Sequence, residues 1–186
     1  NNFTNDFSTD ASLLLPESGL GDTYRIIGYP TANPISIIPI AGIPDYSSVT
    51  VVGVEDGTEV TVRPTHRTRS DMVGFPILEP GEQHTVTLNE FDVLNVASDG
   101  IPGDLTGTVI EATGPVVVFS SGERGIGPLL DTGAPEPPGG IEDLCCTDHL
   151  EEQMFPVTSL GTNFVIPHSP YRGSSFIEPD ELRFMG

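Results

Sequence analysis

The sequence predicts an all-β protein, either an antiparallel β-sandwich or a jelly roll. Apolar residues recur at every second position, or in short runs rich in Val, Ile and Thr, which is typical of strands with a buried face. The 21 Gly and 18 Pro are spread through the chain and leave little room for a long helix. The runs follow one another about every 8–12 residues, as in sandwiches. A barrel or a set of propeller blades would satisfy the same pattern.

Eight segments carry the strand pattern. In chain order they are "TYRIIGY" (23–29), "ISIIPI" (35–40), "SVTVVGV" (48–54), "TEVTVRP" (58–64), "HTVTLNE" (84–90), "DVLNVAS" (92–98), "GTVIEAT" (107–113) and "PVVVFSS" (115–121). Asp56-Gly57 lies between two of these runs and predicts a tight hairpin, and Gly114-Pro115 predicts a second. One stretch, "TDHLEEQM", tolerates a helix, in which Thr147 or Asp148 would cap a turn or two.

The opening and closing segments of the chain resemble each other. "LPESGLGDTYRIIGYP" (15–30) aligns without gaps on "FPVTSLGTNFVIPHSP" (155–170), which matches Leu20 with Leu160 and Tyr24 with Phe164. "SSVTVVG" (47–53) then resembles "DELRFMG" (180–186). A similarity of this length indicates two homologous β-domains in tandem.

We therefore predict three parts. Residues 1–12 form an N-terminal tail or edge segment, 13–154 a first β-domain, and 155–186 the beginning of a second, truncated repeat, so that the chain is the N-terminal piece of a longer protein. Within the first domain, residues 122–143 are rich in Pro and Gly and predict a long surface loop of the kind that is usually functional or mobile.

The charge of the chain limits its partners. Asp and Glu number 27, Lys and Arg number 7, all of the latter are Arg, and the net charge is -20. Such a surface repels nucleic acid and anionic lipid but attracts divalent cations and basic protein surfaces. No apolar run is long enough to span a membrane, and the start of the chain lacks the profile of a signal peptide. If the protein is exported, its signal peptide has been removed.

The segment from Cys145 to Gln153 concentrates reactive side chains. Its adjacent thiols, Cys145 and Cys146, are followed by Asp148, His149 and Glu152. All are potential metal ligands, although structural zinc prefers paired, spaced cysteines and no EF-hand series is present. A cysteine nucleophile with His149 as its base is a second interpretation, but no oxyanion-type glycine turn accompanies it.

A structural role is the third interpretation of this segment. Two thiols in an exported chain are expected to oxidise, and a vicinal disulfide between Cys145 and Cys146 would lock a strained turn at the end of the 122–143 loop. Leu150 and Met154 would then be buried against the β-core. Free thiols found by alkylation and mass analysis would contradict this interpretation.

Two further sites are candidates for binding. "RPTHRTRS" (63–70) gathers Arg63, Arg67 and Arg69, which are either solvated or available to dock an acidic partner through bidentate pairs. "DGIPGDLTG" (99–107) places Asp99 and Asp104 beside glycine carbonyls and is the best candidate for a Ca²⁺ loop.

The order of several motifs resembles a known family. "VEDGTEVTV", "VTLNEFDVLNV", "DLTGTVIEATGPVVVFSSGE" and "CCTDHLEEQMFPVTSLGTNFVIP" look like the N-terminal domain of IgGFc-binding proteins, in its bacterial, secreted version, from about Leu15 onward. The resemblance implies a β-rich extracellular module that is not an enzyme, and it carries over no catalytic residues.

These observations together predict an extracellular, non-enzymatic binding or adhesion module of a larger secreted or cell-surface protein. Its partner would be an extracellular protein or a glycan, with no nucleic acid and no membrane insertion, and Ca²⁺ is a possible cofactor. A self-assembling filament or matrix subunit, which binds copies of itself by strand addition, is the alternative. A hydrolase that uses the acidic residues is a third class.

Overall fold

A computed structural model describes residues 11–30, 46–70, 74–100, 103–125, 148–168 and 185. The chain divides into two compact units. The first comprises Asn1–Gly125 with Asp148–Leu160, and the second comprises Ile126–Thr147 with Gly161–Gly186. The first unit contains every strand described below. In the second unit, residues 161–168 are all exposed and belong to no strand.

The regular structure in the described part of the chain is antiparallel β-sheet with almost no helix, which confirms the predicted class. The strands are β1 (Gly21–Arg25), β2 (Ser47–Gly53), β3 (Thr58–Arg63), β4 (His84–Leu88), β5 (Val93–Ala97), β6 (Val109–Gly125) and β7 (Asp148–Gln153), with 3₁₀ turns at Glu17–Gly19 and Val157–Ser159. Seven of the eight predicted segments lie in β1 to β6. The remaining one, "ISIIPI", lies outside the described residues.

The seven strands form one antiparallel sheet around β6. The order is β4-β3-β6-β2-β5, and β1 and β7 pair with the opposite edge of β6. Because β6 has 17 residues, its first part pairs with β3 and β1 and its later part with β2 and β7. We call these two groups the β3–β4 half, which includes β1, and the β2–β5 half, which includes β7.

The sheet curls so that the inner faces of both halves share one core, in a sandwich-like arrangement. The alternation of strand side chains decides which residues face inward. The buried core comprises Tyr24, Ile26, Val60, Val62, Leu88 and Ile110 from the β3–β4 half, Val49, Val51, Leu94, Val96, Val116 and Val118 from the β2–β5 half, and Phe75, Leu78 and Leu105 from connecting segments.

The predicted hairpin at Asp56-Gly57 is wrong. No pairing joins β2 and β3, which are both fully described; instead both pair with β6, where Gly53 lies opposite Val116 and Val60 lies opposite Ala112. The residues between β2 and β3 carry the chain around a bend from one half of the sheet to the other. Gly57 adopts a φ of 76° in this bend. A Gly in this conformation suits a bend as well as a hairpin.

The predicted hairpin at Gly114-Pro115 is also wrong, because both residues lie inside β6. They lie where β6 runs from one half of the sheet into the other. The pairing of β1 with β6 is irregular there, since Gly21 lies opposite Val116 but Thr23 lies opposite Glu111. Proline has no backbone N–H to donate, so it is tolerated where the ladder is interrupted.

The stretch "TDHLEEQM", which the sequence suggested as a short helix, is a strand. Residues Asp148–Gln153 form β7 and pair with the later part of β6, Gln153 opposite Phe119. The open edge of that long strand supplies backbone hydrogen-bond partners, and this tertiary pairing outweighs weak local helix preference. Leu150 and Met154 are half-buried, and Met154 packs against the core.

The two segments that resemble each other in sequence share only part of their structure. Glu17–Gly19 and Val157–Ser159 are both 3₁₀ turns, each preceded by an extended proline, Pro16 or Pro156. Beyond these turns they differ, since Tyr24 is fully buried in β1 while Phe164 is 70% exposed. The division into a first domain and a truncated repeat remains a prediction.

Tyr24 connects β1 to β6 through its phenol group. Its hydroxyl donates to the Val116 carbonyl at 2.7 Å and accepts from the Gly21 amide at 3.0 Å. Burial of the phenol raises the pKa of Tyr24 above its ordinary value of 10.0. The unfolded chain therefore loses this proton at a lower pH than the folded chain does.

We predict that alkali destabilises the fold through Tyr24. The stability that the neutral phenol provides is fully present below pH 10 and is lost as the pH rises through the folded pKa, at up to about 1.4 kcal/mol per pH unit. Urea unfolding at pH 8 and at pH 11 should show a smaller alkaline loss for Tyr24→Phe than for the wild type. Equal losses would contradict the prediction.

Candidate functional site

The cysteine and histidine segment is only partly described. Cys145 and Cys146 lie outside the described residues, and Asp148 is the first residue of β7. His149 and Glu151 share a face of that strand, with 3.5 Å between Nε2 and Oε2. Glu152 points to the other face, where its Oε1 accepts a 3.4 Å hydrogen bond from Ser12. The structure therefore does not bring His149 and Glu152 together around one ion.

The two aspartates of the predicted Ca²⁺ loop have protein partners. Asp99 Oδ2 lies 3.4 Å from Arg67 Nε, and Asp104 Oδ1 accepts a 2.8 Å hydrogen bond from the Thr106 amide. Among the described residues, no three His, Cys, Asp or Glu side chains are grouped closely enough to hold a metal ion. Calcium binding at Asp99 and Asp104 remains a prediction.

The three arginines proposed for docking each contact a group of the same chain. Arg63 Nη2 lies 3.6 Å from Glu111 Oε2, and Arg67 Nε lies 3.5 Å from Glu79 Oε1. The guanidinium of Arg69 lies over the Tyr46 ring at 4.0 Å. These contacts hold the three arginines against neighbouring residues, and a docking partner would have to replace them. Partner docking by the three arginines stays a prediction.

The structure reveals a groove that the sequence did not predict. It has a volume of about 370 Å³ and lies between β4 and β5, the two ends of the main strand order. Its lining is mostly apolar and consists of Gly74, Phe75, His84, Val86, Leu88, Asp92, Val93, Leu94 and Asn95. The Phe75 and His84 rings meet edge to face at 5.5 Å. We call this site the β4–β5 groove.

No described residue pairs with the outer edge of either strand that borders the groove. Among the described pairings, β4 pairs with β3 and β5 pairs with β2, and an isolated bridge joins Thr68 to Ser98 beyond the end of β5. Leu94 is buried, whereas Val93 is 62% exposed at the rim. An apolar groove with unpaired backbone on both sides is suited to receive an extended peptide, whose main chain would add to one edge.

Two loops meet beside this groove, where the sheet bends. Residues 54–57 join β2 to β3 and residues 89–92 join β4 to β5, and we call them the waist loops. Backbone hydrogen bonds of 2.9 Å join the 89–92 loop to Gly53, the last residue of β2, from Phe91 N to Gly53 O and from Gly53 N to Asp92 O. The Glu90 amide also donates to Asp56 Oδ1 at 3.1 Å. The waist loops therefore form one rigid surface that continues into the groove at Asp92.

A smaller cleft of about 220 Å³ lies at the other end of the described fold, lined by Ile27, Gly28, Tyr29, Ser120, Ser121, Gly122, Leu150, Glu151 and Glu152. Ser120 Oγ is buried there and has no hydrogen-bond partner among the described residues. Because this oxygen is shielded from the cleft surface, it offers little to a ligand. The β4–β5 groove is the better candidate site.

Only part of this site had a sequence signal. The alternation in "DVLNV" indicates that Leu94 and Val96 face inward and that Val93 faces outward, as found. "NEFD" reads as a turn, and an aromatic residue inside a turn was the available sign that Phe91 is unusual. No sequence pattern indicated that β4 and β5 would be the open ends of the sheet.

Comparison with known proteins adds one match. The model of the family described as IgGFc binding protein matches residues 10–186. No curated protein and no solved structure matches the chain. Across the described residues, no helix is both long and apolar enough to cross a membrane.

Proposed function

Because the chain belongs to the IgGFc-binding protein family, we propose that it is a non-enzymatic adhesion module that holds an extracellular protein partner. The family is one of binding modules, typically extracellular, and is not a known family of enzymes. In this proposal the module is part of a larger secreted or cell-surface protein.

The observation that carries the proposal is the β4–β5 groove. Its walls are mostly apolar side chains, and among the described residues its two bordering strands have no partner on their outer edges. Buried apolar area favours association, and strand edges add directional hydrogen bonds. A glycan would offer many hydroxyl groups to a groove that has few polar side chains to receive them. The groove therefore favours a protein segment over a glycan.

We predict that a polar change at the rim of the groove weakens binding. Val93 is exposed, so Val93→Asn leaves the core intact while removing apolar contact area. Val165→Asn is the matched control, because Val165 is also exposed and lies in the second unit. Arrays of extracellular proteins and of glycans should show protein ligands for the wild type, with affinity about tenfold lower for Val93→Asn and unchanged for Val165→Asn.

Two results would contradict the proposed function. One is equal binding by the wild type and Val93→Asn, which would place the contact elsewhere. The other is binding to glycans without any protein ligand. Turnover of ester, peptide or glycoside substrates, lost on changing His149, would favour the hydrolase class instead.

A second candidate function is self-assembly into filaments or matrix. It is favoured by the exposure of Phe164, Val165 and Ile166, which correspond in sequence to Tyr24, Arg25 and Ile26 of β1. An exposed segment with strand pattern can pair with another copy. Light scattering and electron microscopy distinguish the two functions. Regular filaments that Val165→Asn abolishes would support assembly, whereas a monomer at high concentration would contradict it.

A further inference from the structure

We infer that Phe91 is the apolar anchor of this module's contact with a polypeptide that carries an apolar side chain flanked by Lys or Arg. This inference rests on the proposed binding function and adds the chemistry of the partner. It places the first contact on the waist loops, next to the β4–β5 groove.

The backbone of Phe91 is the first reason. Its φ is 67°, and it is the one residue other than Gly among the described residues with a positive φ. This left-handed region suits Gly, Asn and Asp, while a residue with a bulky side chain is strained there. The hydrogen bonds of the waist loops, including Phe91 N to Gly53 O at 2.9 Å, hold the strained conformation.

The exposure of Phe91 is the second reason. The side chain is 78% exposed and is not part of the core cluster. It therefore provides little packing energy to offset the strain of its backbone. Both the positive φ and the high exposure of this position would favour Asn or Gly over Phe if folding alone determined the residue. A strained backbone and an exposed aromatic side chain together indicate a role in contact with another molecule.

The neighbouring surface extends this apolar contact. Val93 is exposed two residues further on, and Asp92, Val93 and Leu94 line the β4–β5 groove. A partner that covers Phe91 therefore also reaches the groove rim. Aromatic anchors of this kind supply large contact area at a small cost in side-chain entropy.

The charge around Phe91 identifies the partner. The waist loops carry Glu55, Asp56, Glu90 and Asp92, and neither loop contains Lys or Arg. Asp56 and Asp92 accept backbone hydrogen bonds from Glu90 and Asn89, which fixes their carboxylates beside Phe91. An acidic partner or a nucleic acid would be repelled here. An apolar side chain of the partner would pack on Phe91, and the basic residues on either side of it would pair with the surrounding carboxylates.

The test uses a display library of random linear 12-residue peptides selected on the immobilised chain. Peptides enriched by the wild type are expected to contain an apolar residue flanked by Lys or Arg. Affinity for the best of these should fall at least tenfold in Phe91→Asn, and Phe91→Tyr should stay within threefold of the wild type. Phe155→Asn is the control, because Phe155 is an exposed phenylalanine that belongs to neither waist loop.

Stability provides a second readout from the same variants. Since Asn tolerates the left-handed conformation, Phe91→Asn should raise Tm by about 2–4 °C while it weakens binding. A rise in Tm shows that the lost binding does not come from unfolding. A fall in Tm would mean that Phe91 supports the fold, and it would overturn the inference.

Other outcomes separate this inference from the proposed function. If Phe91→Asn binds like the wild type and Val93→Asn does not, the groove remains the site and Phe91 is not its anchor. If the wild type enriches acidic peptides, or none, the assignment of a basic partner is wrong. If neither substitution reduces binding to any protein ligand, both proposals fail.

Discussion

Replacing Tyr24 by Ala should lower the free energy of unfolding by about 3–5 kcal/mol, the usual cost of removing a fully buried aromatic ring. Tyr24 has no exposed surface and packs in the core shared by both halves of the sheet. The loss combines a cavity with two broken hydrogen bonds, to the Val116 carbonyl and from the Gly21 amide. Urea unfolding monitored by circular dichroism measures it.

The Tyr24→Phe variant separates these two contributions. It keeps the ring but leaves the Val116 carbonyl and the Gly21 amide without their partner, which should cost about 1–3 kcal/mol. Phe155→Ala is the control, since an exposed ring should change stability by less than about 0.5 kcal/mol. A loss for Tyr24→Ala no larger than that of the control would show that β1 does not pack as described.

The second large effect is expected for Gly53→Ala, at the end of β2. A Cβ atom on Gly53 would lie 2.2 Å from the backbone oxygen of Asn89. That oxygen cannot move away easily, because Gly53 holds the 89–92 loop in place by hydrogen bonds to Phe91 and Asp92. Overpacking against backbone should therefore cost about 3 kcal/mol or more.

Gly114→Ala is a matched control for that experiment. Gly114 lies in β6 near the same bend, and an added Cβ atom would meet its nearest neighbour, Glu55 Oε2, at an ordinary 3.4 Å. This change should be neutral or should stabilise by about 0.4–1 kcal/mol through the unfolded chain. Chemical denaturation of both variants tests the pair. Equal stabilities for Gly53→Ala and Gly114→Ala would contradict the close contact between Gly53 and Asn89.

The sequence predicted the strands well but not their partners. The strand pattern in "SVTVVGV" and "TEVTVRP" identified β2 and β3. It did not show that both segments pair with β6, because pairing between residues 46 to 75 positions apart has no local signature. Asp56-Gly57 therefore suggested a hairpin, although it forms a bend. The same reason explains why β7 was predicted as a short helix. Its strand conformation depends on pairing with the edge of β6, which the local sequence does not show.

The candidate site was predictable only in its components. The strand pattern of "DVLNVAS" predicted β5, and the acidic residues of the waist loops are visible in the sequence. The strain at Phe91 depends on the bend that the hydrogen bonds to Gly53 impose. The groove depends on which strands end the sheet. Both are products of topology, so they appear only when the chain is folded.

The length of β6 has a mechanical consequence. Antiparallel hydrogen bonds lie perpendicular to the strands, so a force applied along β6 acts on them in shear. Since β6 is flanked on both edges along most of its length, by β3 and β2 on one side and by β1 and β7 on the other, many of these bonds bear the load together. A strand held in this way resists tension until all of its flanking hydrogen bonds give way together.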